Sequence, residues 1–123
     1  MHHYFNMSEP TPNPDAPRVI ATAVLNAGKA LGLKRDEIGR IVGRDRSRIR
    51  DGIDPGSPGG QAALLLIRCY RSLYALVDGD PVVMGHWMET ANRGTGGVPR
   101  EQLFDLVGLV DVVQYLDAIR GKV

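Results

Sequence analysis

Residues 86–121 read HWMETANRGTGGVPREQLFDLVGLVDVVQYLDAIRG, and the fold class turns on how this stretch is read. Helical rhythm runs through the chain's only tryptophan, Trp87, and Met88, then stops at the glycine-rich run Asn92 to Pro99. It resumes with Leu109, Val112, Val113, Leu116 and Ile119 at spacings of three and four, with Asp111, Gln114 and Asp117 on the opposite side. That spacing predicts a helix with one apolar face. The glycine run has two readings. A phosphate-cradling loop joins a strand to the start of a helix, but here the preceding segment is helical and no lysine follows in the position a P-loop needs. A turn that reverses the chain between two helices fits better. Glycine allows the positive backbone angles, Asn92 caps through its side chain, and Trp87 anchors the turn from beneath.

Helical periodicity is strongest just upstream, from Gln61 to Val77. Leu66, Cys69, Tyr70, Leu73, Tyr74 and Val77 form one stripe, and Arg68, Arg71, Ser72 and Ala75 the other. Cys69 lies in the apolar stripe, as a packed thiol rather than a nucleophile. Asp80 followed by Pro81 has the form of an N-cap and first helical position, opening a helix to about Ala91. Glu101 to Phe104 fit a short helical piece. No run of alternating residues argues for strands, so the chain reads as all-α.

Toward the N-terminus, residues 54–60, DPGSPGG, are turn chemistry. Before them, Ile38, Ile41 and Val42 give a short helix one apolar face and Gly43 a stop. RDRSRIRDG then fits a second short helix anchored by Ile49. Seven cations and four carboxylates fall within residues 34–51, so this region is basic although the whole chain is only +1. Two short helices, a tight turn and clustered arginines are the ingredients of a helix-turn-helix. Arg44, Arg46, Arg48 and Arg50 can grip phosphate or read guanine, and Ser47 can cap the second helix or touch a phosphate. Asp45 and Asp51 oppose this, and a solvated charged face is the competing reading. Ile20, Val24, Leu25 and Leu31 predict a further helix from Arg18. Residues 1–17 carry four prolines and read as a disordered tail, in which His2 and His3 lack partners for a metal site.

The length suits one domain or two small subdomains, here a helix-turn-helix region over 18–60 and a helical domain over 61–123. At 43% hydrophobic and 24% charged residues the composition is globular. A single cysteine excludes an internal disulfide and suggests a reducing, cytoplasmic setting. No apolar stretch approaches the roughly 20 residues of a membrane span. No Ser/His/Asp set, metal-ligand spacing or paired carboxylates point to an enzyme or a cofactor, and His86 stands alone.

The motifs LLLIRCYRSLYALVDGD, HWMETANRGTGGVPREQL and GLVDVVQYLDAIRG resemble the toxin-binding domain of Xre/MbcA/ParS-type antitoxins over roughly residues 61–121. Trp87, Asn92, Gly96, Gly97, Pro99, Leu103, Gly108 and Leu116 occupy matching places. Ala91 stands where that family has proline, and Thr95 where it has leucine. The basic helix-turn-helix upstream agrees with an Xre-like N-terminal half.

The resemblance implies a cognate RES-domain toxin that depletes NAD by cleaving or phosphorolysing it. It implies a C-terminal domain that obstructs the toxin's active site, and a DNA-binding half that represses the shared operon. The expected docking residues are Trp87, Asn92, Arg93, Asp111, Gln114, Asp117, Arg120, Lys122 and Val123. The acidic groups among them, with a terminal carboxylate, suit a basic pocket that binds pyrophosphate. Operator DNA and a second copy of the chain complete the expected partners, because helix-turn-helix proteins commonly bind paired half-sites. The alternative is a stand-alone regulator whose C-terminal domain only dimerises; a toxin gene beside this one separates the two.

Overall fold

A computed structural model describes residues 14–121; His2, His3, Lys122 and Val123 lie outside the described residues, as does most of the expected tail. The described residues form helices α1 (Ala16–Ala30), α2 (Arg35–Val42), α3 (Pro58–Leu76), α4 (Pro81–Glu89), the single turn α5 (Pro99–Gln102) and α6 (Leu106–Gly121). Among them there is no strand, only an isolated bridge between Asn92 and Gly97. No described helix is long and apolar enough to cross a membrane. The all-α expectation holds.

Helix α3 organises the molecule. Ser57 caps it, its hydroxyl accepting from the Gly60 amide at 3.0 Å, and Pro58 occupies the first turn where no donor is needed. Its two most extensive contacts are with α1 on one side and α6 on the other. Val24, Leu31, Ile38, Ile49, Leu66, Leu73, Leu109 and Leu116 therefore share one continuous buried cluster. The expected stripe on α3 is too narrow for a helix covered from two sides. Ser72, placed on the outer face by periodicity, is fully buried, whereas Tyr74 is 50% exposed. Cys69 is buried as expected, and burial pushes its thiol up to about 12.

A polar seam fastens α6 to α3. Arg68 meets Asp117 at 2.8 Å through Nη2 and donates a second bond through Nε at 3.3 Å. The Ser72 hydroxyl donates to Asp117 at 3.4 Å and accepts from Arg120 Nη1 at 3.2 Å. Asp105 caps α6, its carboxylate accepting from the Gly108 amide at 2.9 Å. At the other end of the core, α1 starts at Ala16, two residues earlier than expected. Pro17 fits a first turn, and its carbonyl accepts from the Ile53 amide at 3.0 Å.

The region after α2 departs from expectation. Gly43, at φ +69°, ends α2 as foreseen, but the next helical piece is only a 3-10 turn, Ile49–Asp51. Asp45 turns the chain on itself, its carboxylate accepting from the Ser47 amide and hydroxyl, both at 3.2 Å. Gly52 at φ +119° then stops any continuation. The segment between the two glycines is too short for an α-helix once the turn has consumed its first half. Ile49 is fully buried and anchors it as expected.

Glu37 joins α2 to α5. It accepts from the Lys34 amide at 2.8 Å at the start of α2, and from Arg100 Nη2 of α5 at 2.9 and 3.1 Å. Arg40 lies 4.7 Å from the centroid of the Phe104 ring beside it. The Lys34 amide and then the Arg100 charge hold the Glu37 carboxyl below its ordinary value of 4.5, against opposition from burial. A lowered carboxylate contributes stability above its ordinary pKa and loses it as the pH falls through the folded value. Glu37→Gln should therefore melt below the native protein at pH 7, with the gap closing as the pH falls below the ordinary carboxyl value. An equal gap at pH 7 and in acid would refute the ion pair as its cause. Cys69 should resist thiol reagents in the folded protein at pH 8 and react only at the rate of unfolding, which stopped-flow labelling can check.

Candidate functional site

The glycine run forms a closed loop built around Asn92. Its amide donates to the Gly97 carbonyl at 2.8 Å, and its own carbonyl accepts from the Gly96 and Gly97 amides at 3.0 and 3.2 Å. Its side-chain oxygen accepts from the Gly94 amide at 2.8 Å, the capping role expected of it. Thr95 is buried, and its hydroxyl reaches the carbonyls of Asn92 and Gly97, both at 3.2 Å. Gln102, on α5, donates from Nε2 to the Thr95 carbonyl. Every corner of the loop is thus tied to another corner or to α5.

The loop rests on an aromatic pair. Trp87 of α4 stacks on Tyr115 of α6 with ring centroids 6.4 Å apart and planes 20° from parallel. Gly94 lies against that tyrosine, and a Cβ at this position would fall 2.0 Å from Tyr115 Cε1. Trp87 is half-buried, so the expected anchor beneath the turn is shared between two rings. Tyr115, Gln102 and Gly94 escaped the sequence reading. Tyr115 carried a signal, being the sole aromatic residue of α6. Ala91, Asn92, Arg93, Gly96 and Gly97 line a shallow depression on the outer side of the loop, with Arg93 exposed.

The α6 candidates separate into two groups. Asp111 and Gln114 are exposed, as expected. Arg120 is exposed as expected, with Nη1 donating to Ser72, whereas Asp117, expected outward, is half-buried and engaged with Arg68 and Ser72 in the seam to α3. The reason is the second covered face of α3, which draws polar partners from α6. Ala75, Leu76, Ile119 and Arg120 line an apolar groove of about 290 Å³ where these two helices end.

Arg44, Arg46, Ser47, Arg48 and Arg50 are all exposed along the turn after α2. Arg44 donates to the Arg48 carbonyl at 3.3 Å and Arg35 to the Arg46 carbonyl at 3.1 Å, so arginine side chains brace the turn's backbone. Ser47 serves the Asp45 turn rather than capping a helix. Its amide and hydroxyl lower the Asp45 pKa, keeping a negative charge among the arginines.

Gly94→Ala should destabilise the fold by about 1–3 kcal/mol, since the ring beneath has to move. It should also change the Trp87 emission. Gly85→Ala, on an open face of α4 with nothing near the added carbon, should be neutral or stabilising by up to about 1 kcal/mol. Thermal melts with tryptophan fluorescence separate the two; a Gly94 variant that matches the native protein in both would rule out the stack as the loop's support.

No curated protein matches the chain. Residues 72–122 match the model of the antitoxin Xre/MbcA/ParS C-terminal toxin-binding domain, a span from the last turns of α3 through α4, the Asn92 loop, α5 and α6. The aromatic pair, the loop and the exposed face of α6 all fall inside it. Through these residues, about two fifths of the chain, the C-terminal part is similar to that antitoxin toxin-binding domain.

Proposed function

We propose that the chain neutralises a cognate RES-domain toxin that degrades NAD, by laying the Asn92 loop and α6 over the toxin's nucleotide pocket. The observation that carries this reading is the coincidence of the matched domain with the most heavily cross-tied surface of the molecule. A pre-organised surface loses little conformational entropy on binding. Trp87, Asn92 and Arg93 form one end of the docking surface, and Asp111 and Gln114 extend it along α6. Lys122 and Val123, outside the described residues, are counted with it from the sequence alone. Asp117 and Arg120 act by holding α6 against α3, so their substitution tests the fold as much as the contact. As a homodimer, the protein also represses its own operon through the basic turn at residues 44–50. It works as a binding protein, not as an enzyme.

The test is cellular NAD after induction of the neighbouring gene, with and without this protein. Collapse alone and preservation on co-expression are expected. An NAD level untouched by the neighbour would remove the RES assignment. Asp111→Lys should weaken the purified complex about tenfold or more, because like charges juxtaposed across an interface cost several kcal/mol. Unchanged affinity would take the outer face of α6 out of the docking surface.

A further inference from the structure

Two adjoining grooves run where α1 faces the 3-10 turn. Both are lined by Leu25, Asn26 and Arg50; one adds Lys29 and Arg35, the other Arg18 and Thr22. No carboxylate lines either groove. Lys29, Arg35 and Arg50 stand in no ion pair among the described residues. Arg18 and Lys29 are eleven residues apart on α1, about 16 Å along its axis, which matches the rise of about five phosphates along one DNA strand. Arg35 reaches the Arg46 carbonyl through Nε, which joins the grooves to the arginine turn at 44–48.

We propose that these grooves are a phosphate track for duplex DNA, with Arg18, Lys29, Arg35 and Arg50 neutralising backbone charge and Thr22 and Asn26 donating to phosphate oxygens. The inference rests on the DNA-binding reading above and extends it to residues on α1 and α2. The shortened second element is the reason the track is needed. A three-residue 3-10 turn offers few side chains to base edges, so phosphate contacts have to supply most of the affinity. They position the protein and carry no sequence information of their own.

The full-length protein is titrated by fluorescence anisotropy onto a duplex from its own promoter and onto a scrambled duplex, over a range of salt. The double substitution Arg18→Gln, Lys29→Gln should weaken both duplexes alike and reduce the slope of log affinity against log salt by about 2, close to 0.9 per lost phosphate contact. Asn26→Lys adds a cation at the centre of both grooves and should steepen the slope by about 1. That gain cannot come from misfolding. Native binding to DNA with slopes unchanged in both variants overturns the track and leaves the DNA-binding reading standing. Loss on the promoter duplex alone overturns it in favour of base reading. Failure of the native protein to bind either duplex overturns both.

Discussion

Everything in this fold depends on one helix being buried from two sides. Helix α3 meets those neighbours through small residues and a polar seam as well as through Leu66, Cys69 and Leu73. Ala62 and Ala63 let neighbours approach its first half, while Ser72, Asp117, Arg68 and Arg120 satisfy one another along the second. A buried hydroxyl left unpaired costs about 1–3 kcal/mol, so the seam also fixes how α6 sits on α3. The sliding or rotation of α6 that an all-apolar interface tolerates would here break a bidentate ion pair. The loop then inherits its position from α6, because Gly94 is seated on Tyr115.

This arrangement explains what the residues disclosed and what they withheld. Local signals were legible: Asp80 and Pro81 at the start of α4, Gly43 at the end of α2, and the inner face of α6 through Leu109, Val112, Val113 and Leu116. Each depends on a few neighbouring residues. Ser72, Asp117 and Tyr74 were misplaced because a single helix period assigns one inner and one outer face, and says nothing of a second neighbour. Tyr115 and Gln102 were missed because their partners, Trp87, Gly94 and Thr95, are brought to them by tertiary packing. The second helix of the expected helix-turn-helix failed for a local reason. Asp45 satisfies the Ser47 amide and hydroxyl outside any helix, the competition by which short polar side chains disfavour helical backbone.

The molecule is electrostatically divided in a way its near-neutral total conceals. Exposed arginines cluster on the turn after α2, and exposed Asp111 lies on α6. Between them stands the Glu37–Arg100 pair, the one ion pair among the described residues that links α2 to α5. Both partners are largely shielded from solvent, so screening weakens this contact less than a surface bridge. It sits directly behind the Asn92 loop in the chain, through Gln102 on the same turn. The contact therefore ties α2, which leads into the basic turn, to α5 beside the Asn92 loop.

Thr95 shows how the loop keeps its shape around a buried polar residue. Threonine brings a hydroxyl that is expensive to bury alone. Here that hydroxyl lies within reach of two carbonyls of the loop itself, while the Thr95 carbonyl accepts from Gln102. Hydrogen bonding is directed along the ring of the turn. Such bonds are more directional than packing, and they connect Asn92 to Gly97 across the depression on the outer side of the loop. The Asn92–Gly97 pairing and the Asn92 side-chain cap fix the backbone after Ala91. Rigidity at this surface therefore comes from a connected set of bonds within the turn, and removing any one of them loosens the rest.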